Sequence, residues 1–208
     1  MAGVLITFEG GEGAGKSTHV KRLAERLKAQ SREVLMTREP GGTPSGEAIR
    51  ALVVAGDVVR WSAEAEALLN YAARDAHLRE AIRPALTRGA IVLSDRFMDS
   101  TRAYQGHAGG CDMRLIDELE RVVVGATRPR LTLIFDLDPE LGLSRAKHRG
   151  EAEDDRFERK GVEFHRRLRE GFLDIAEREP ARCRVIDAAQ PIEEVAVAVW
   201  TEVSAVLA

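Results

Sequence analysis

Gly10-Gly11-Glu12-Gly13-Ala14-Gly15-Lys16-Ser17 satisfies the spacing G-x-x-x-x-G-K-[ST] at every required position. Each residue type has a task in holding a polyphosphate. Glycines let the backbone wrap an anion with its N–H groups inward, lysine reaches the β- and γ-phosphates, and the Ser17 hydroxyl can ligate Mg²⁺. The apolar run Val4 to Phe8 leads into the loop, and the helical stretch Lys16 to Ala29, with Thr18 in its first turn, leads out of it. An incidental glycine-rich turn has no need of that strand-loop-helix context. The chain is therefore expected to bind a nucleoside triphosphate through Gly10 to Thr18.

Three further groups can act on phosphate. Ile91-Val92-Leu93-Ser94-Asp95-Arg96 puts a carboxylate and a guanidinium at the end of a buried strand, where Asp95 can hold Mg²⁺ and Arg96 can neutralise a transferring phosphoryl group. Asp136 is the rival metal candidate, but Asp138-Pro139 follows it, so a helix cap competes with that role. Thr37-Arg38-Glu39-Pro40-Gly41-Gly42-Thr43 offers Arg38 on a stiff loop, suited to a second phosphate group. Arg145, Lys147, Arg149 and Arg156 crowd a dense mixed-charge stretch that supplies the arginine missing from the phosphate loop, so a mobile lid is expected at about 145–160. Glu12 would repel triphosphate and is expected to face a hydrogen-bond donor such as a sugar hydroxyl. Glu9 is expected to support the metal's water shell or the loop backbone.

The elements that must position these groups follow from periodicity. Short apolar runs alternate with longer amphipathic ones, the rhythm of a parallel sheet covered by helices on both faces. Strands are expected at Val4 to Phe8, Glu33 to Thr37, Ile91 to Ser94, Leu131 to Leu137 and Arg184 to Asp187, with helices between them. Ala63 to Leu86 reads as one helix stopped by Gly89, its last turn ended or bent by Pro84. Asp112 should cap a helix to Val124, and Pro139 should open one to His148.

With 208 residues, 44% of them hydrophobic, the chain is most simply one domain over 1–208. A net charge of −3 provides no general field for nucleic acid, so anionic ligands must meet local arginines. Cys111 and Cys183 sit far apart and in no metal spacing. There is neither a basic leader nor an apolar run near the roughly 18 residues of a membrane span, and a cytoplasmic protein is expected.

Phe8-Glu9-Gly10 with the phosphate loop, Thr37 to Thr43, Tyr71-Ala72-Ala73-Arg74, Asp95-Arg96-Phe97, Asp99-Ser100-Thr101 and Ala103-Tyr104-Gln105-Gly106 together resemble the bacterial thymidylate kinases over nearly the whole chain. The resemblance implies the five-stranded parallel sheet of phosphate-loop nucleoside monophosphate kinases with helices around it and a lid. It also implies transfer of the γ-phosphoryl of ATP to dTMP with Mg²⁺, and a homodimer. By position it implies Arg38 and Arg96 as ligands of the dTMP phosphate with Pro40 and Arg50 beside them, and Arg74, Thr101 and Gln105 as readers of the thymine edge. Tyr104 would close against the sugar, Glu12 would receive the 3′-hydroxyl, and Arg149, then Arg156, would be the catalytic lid arginine. At the position where most relatives stack Phe on thymine this chain has Asn70. Either Tyr71 is re-aimed, or the base is held by edge contacts and another apolar wall.

Other readings fare less well. A GTP-dependent switch needs an Asn-Lys-x-Asp guanine reader, and Asn70, the chain's sole asparagine, precedes Tyr71. A kinase for another monophosphate or a deoxynucleoside stays open, with Arg38 favouring an acceptor that already carries phosphate. A non-catalytic ATP-binding module would leave Asp95, Arg96 and the basic lid without a task.

Overall fold

The computed structural model of the protein describes residues 3–148 and 156–207. Five strands form one parallel sheet: β1 (Val4–Gly10), β2 (Val34–Arg38), β3 (Ile91–Asp95), β4 (Leu131–Asp136) and β5 (Cys183–Asp187), in the order β2-β3-β1-β4-β5. β1, β3 and β4 are almost wholly buried, which explains their continuous apolar runs. Register decides what the carboxyl edge presents: Asp95 lies beside Phe8 on one side and beside Arg38 on the other. The loops after β1, β2 and β3 therefore open onto one crevice.

On one face, α1 (Lys16–Ala29) and α9 (Ile192–Leu207) close a core with Ile6, Phe8, Leu133 and Phe135. On the other face, α3 (Ala63–His77) packs Ala67 and Tyr71 against Leu5, Val92, Phe97 and Met98. α2 (Pro44–Val54), capped by Thr43 Oγ1 on Gly46 N at 3.1 Å, lies against α3. α8 (Val162–Arg178) contributes Phe164, Leu168 and Phe172 to a third cluster with Tyr104.

The expected helix from Ala63 to Leu86 is present but not uniform. α3 passes into a π-helical turn, Leu78–Ile82, and resumes as α4 (Arg83–Thr87) with Pro84 in its first turn. The wider turn makes room ahead of a ring that would clash with the preceding carbonyls of a regular helix. Gly89 ends the run at φ 84°. A short α5 (Met98–Thr101) continues through a π-helical segment, Arg102–Ala108. α6 (Met113–Leu119) is capped by Asp112 on Arg114 N at 2.9 Å and runs through a π turn, Glu120–Val124. α7 (Pro139–His148) starts with proline as expected. Its N-terminal turn is held by Asp138, whose Oδ1 accepts from Glu140 N and Leu141 N, whereas Asp136 forms a bidentate pair with Arg169 at 2.6 and 2.8 Å. Asp136 therefore neither caps the helix nor stands free for a metal.

Candidate active site

The phosphate loop joins β1 to α1. Gly13 lies at φ 67°, and a Cβ there would meet the Gly142 carbonyl oxygen at 2.0 Å, so α7 closes against the loop only because position 13 is glycine. Lys16 is buried, and its Nζ donates to the carbonyls of Gly10 at 3.1 Å and Gly11 at 2.6 Å. Burial, reinforced by Arg96, lowers its pKa to about 8 against the pull of Glu12, Asp95 and Glu9. Ser17 Oγ is exposed and donates to Asp95 Oδ2, placing a hydroxyl and a carboxylate at one corner of the loop.

Arg96 follows β3 with φ 70°, a left-handed conformation unusual for a non-glycine residue. It is held there by its own N–H on Phe8 O and by Nη1 on Gly10 O, each at 2.9 Å. Its Nη2 donates to Glu12 Oε1 at 2.8 Å, and Tyr104 lies below, ring centre 4.8 Å from the guanidinium. Tyr104 OH donates to the same Glu12 oxygen. Burial alone would raise the Glu12 pKa, but Arg96, Lys16 and this hydroxyl bring it down to about 2. Glu9 takes the opposite course. Wholly buried near Asp99, its pKa rises to about 7 despite accepting from Phe97 N at 2.8 Å and Ser100 Oγ at 2.5 Å. In this arrangement Glu9 fixes the turn after β3.

A cleft of about 250 Å³ runs from this loop to α3. Its rim carries Arg38, bridged to Glu47 at 3.1 Å and more than half exposed, and Arg50, whose Nη1 donates to Pro40 O. An exposed pair of this kind contributes little to stability. Its floor carries Arg74, which is fully buried: Nε donates to Glu39 at 2.7 Å and Nη2 to Phe97 O and Thr101 Oγ1, while Nη1 has no partner among the described residues. Asn70, Thr101 and Gln105 also line the cleft. Tyr71 does not. It is 1% exposed in the core, so the alternative in which Tyr71 re-aims at the base fails, and Asn70 occupies that wall with Nδ2 on Glu66 O at 2.8 Å.

The basic stretch divides. Arg149 lies outside the described residues, as does much of the 145–160 lid. Arg145 donates to Ala188 O beside a second hollow of about 570 Å³ that includes Gly13, Thr18 and Gln190. Arg156 contradicts the expectation placed on it. Its guanidinium is fully buried, bonded to Val53 O, Val58 O and Glu66, and does not face the phosphate loop. A buried cation so committed acts as a clasp between the chain after residue 155 and the α2–α3 hairpin.

Sequence reasoning passed over Glu39 and Glu66. Glu39 alternates with Arg38, so when one faces the rim the other turns inward, where it meets Arg74 and His77. Glu66, Asn70 and Arg74 recur at four-residue spacing on one face of α3, a signal that was available in the sequence.

A parallel sheet with a phosphate loop after β1, a carboxylate and arginine after β3 and an arginine-lined cleft beside them defines a phosphate-loop nucleoside monophosphate kinase. The family model for thymidylate kinase matches residues 8–199. The chain belongs to the thymidylate kinase family. It is 58% identical over 197 residues to the thymidylate kinase of Caulobacter vibrioides, covering 95% of this chain and 94% of that one. It is 52% identical over 205 residues to that of Rhodopseudomonas palustris strain TIE-1, covering 98% and 89%. The crystal structure of thymidylate kinase from Ehrlichia chaffeensis superposes with a TM-score of 0.80 at 35% identity, covering 98% of this chain and 99% of that one.

Proposed function

We infer that this chain transfers the γ-phosphoryl group of ATP to dTMP, giving dTDP and ADP. One observation carries the reading. Lys16 and Ser17 of the phosphate loop, the phosphate-grade cations Arg38 and Arg96, and the base-grade donors and acceptors Arg74 and Gln105 all line a single cleft. Donor phosphate, acceptor phosphate and acceptor base thus have a place in one line.

Lys16 would exchange its loop carbonyls for β- and γ-phosphate oxygens, and Arg38, Arg50 and Arg96 would hold the acceptor phosphate. That phosphate has a second pKa near 6, so its oxygen is already anionic at neutral pH and attacks the γ-phosphorus without a general base. The bond to the ADP oxygen breaks as the new bond forms, and Arg96 and Lys16 stabilise the charge spread over the transferring group. Glu12 would accept from the 3′-hydroxyl, and Tyr104 would close the sugar side. Arg74 would donate to a base carbonyl, with Thr101 and Asn70 on the same wall. The hollow beside Thr18 and Arg145 suits the adenine of ATP.

The donor set fits Mg²⁺: Ser17 Oγ and Asp95 present two hard oxygens at the loop corner, leaving the remaining positions to phosphate and water. Bound there, the ion would supply positive charge that screens the triphosphate. We place the missing loop arginine in the lid and retain Arg149 for it. Arg156 is better read as the clasp. A homodimer in the cytoplasm completes the proposal, with exposed Leu68 and Val122 as surface that such a dimer would cover. No described helix is long and apolar enough to cross a membrane. The direct test is label transfer: γ-³²P from ATP should appear in dTDP, and label appearing only as inorganic phosphate would overturn the kinase reading.

A further inference from the structure

Glu66 is 1% exposed and binds on both oxygens. Oε1 accepts from Arg156 Nη2 at 2.5 Å and from Lys160 Nζ at 3.3 Å, while Oε2 accepts from Gln105 Nε2 at 2.8 Å. Two cations pair with one oxygen of Glu66, and a carboxylate paired in this way accepts and does not donate. The amide of Gln105 therefore has one permitted orientation. Its NH₂ must face Glu66, and its carbonyl oxygen, without a hydrogen-bond partner among the described residues, is left for the cleft that Gln105 lines.

Arg74 lines the same cleft, and its Nη1, buried and without a partner among the described residues, is a donor left over. A base that met the Arg74 donor with its 4-carbonyl and the Gln105 acceptor with its N3–H would be a 4-keto pyrimidine. A 4-amino pyrimidine presents the reverse, an NH₂ toward Arg74 and a lone pair toward the Gln105 oxygen, and both contacts become repulsive. Without Glu66 the Gln105 amide could rotate and offer N–H to that lone pair, removing one of the two mismatches.

We propose that Glu66 is a positioning residue for base selection: it locks the Gln105 amide with its oxygen toward the base and so favours a 4-keto over a 4-amino pyrimidine monophosphate. The proposal rests on the thymidylate kinase reading and extends it to a residue that does not itself touch the base. It also links selection to the chain beyond residue 155, because Arg156 and Lys160 hold the carboxylate that holds Gln105.

The test is the ratio of kcat/KM for dTMP to that for dCMP, measured at saturating ATP in wild type, Glu66→Gln, Gln105→Met and the double variant. Glu66→Gln should lower the ratio about tenfold, chiefly through a higher KM for dTMP. In the Gln105→Met background the same change should leave the ratio where it stands, because no amide remains to be oriented. An unchanged ratio in folded Glu66→Gln, or an equal fall in both backgrounds, overturns the proposal. If thermal unfolding shows Glu66→Gln to be unfolded, Glu66→Asp carries the test: it keeps the charge facing Arg156 and Lys160 but is one methylene too short to hold Gln105 as well. Wild type inactive on dTMP would overturn the kinase reading and this proposal together, whereas active wild type with an unmoved ratio overturns this proposal alone.

Discussion

Glu12 of the phosphate loop and Arg96 after β3 meet at 2.8 Å, 84 residues apart in sequence, and this ion pair ties the phosphate loop to the turn after β3. Arg96 is thereby oriented before any ligand arrives, in a backbone conformation that few non-glycine residues adopt. Glu12→Ala should release the guanidinium, remove the partner of Tyr104 and delete the sugar contact. The expected result is a dTMP KM raised by at least about tenfold, with the ATP KM changed much less. Equal increases in both constants would place Glu12 in triphosphate binding instead.

Glu9 predicts a pH signature in stability. Its folded pKa, about 7, lies above the ordinary 4.5 of a glutamate because the group is buried near Asp99. Between those two values the native state holds more protons than the unfolded one, so this group's contribution to stability falls as pH rises from about 4.5 to 7 and is flat beyond. Glu9→Gln should escape that loss, unfolding like wild type near pH 4.5 and being more stable by up to about 3 kcal/mol at pH 8. Denaturant titrations of both proteins at the two pH values measure it. A variant destabilised equally at both would mean that Glu9 is native as the carboxylate.

Arg156 and Arg149 should separate by observable. Arg156→Ala leaves Glu66 buried with a weakened partner set and should cost roughly 3–5 kcal/mol of stability. Arg149→Ala should unfold like wild type yet lower kcat far more than it raises the KM for dTMP, as expected of a contact made mainly in the transition state. Normal stability in Arg156→Ala together with collapsed kcat would reverse the assignment.

Asn70 lines the cleft, and Tyr71 is packed in the core instead. Asn70→Phe should lower the dTMP KM by up to roughly tenfold with little change in kcat, since stacking of about 1–3 kcal/mol acts equally on ground and transition states. Tyr71→Ala should lower stability instead, because its ring fills the core beside Arg74 at 4.5 Å. A dTMP KM that responds to Tyr71 and ignores Asn70 would mean that the base lies elsewhere.

The central strands were legible because they are buried on both faces, so Val4–Phe8, Ile91–Ser94 and Leu131–Asp136 read as mostly apolar runs. The phosphate loop was legible because its chemistry is local. What escaped depends on long-range pairing: whether Arg156 faces a phosphate or Glu66 is decided by residues 90 apart, and nothing in the charge pattern of that stretch distinguishes the two. The inward turn of Glu39 follows from strand alternation carried one residue past β2. The π-helical turns left only Pro84 as a trace, and that single residue was read as an end or a bend, not a widening.

The central claim is phosphoryl transfer to a thymine nucleotide through this cleft. ADP release should therefore be measured with ATP and a panel of dTMP, dUMP, dCMP, dAMP and dGMP, in wild type and in Lys16→Ala. Wild type should show the highest kcat/KM with dTMP, discrimination of at least about a hundredfold against the purines and no turnover without acceptor, and Lys16→Ala should lose transfer while still folded. Comparable rates with every acceptor, ADP release that needs none, or near-normal turnover in Lys16→Ala would contradict that claim.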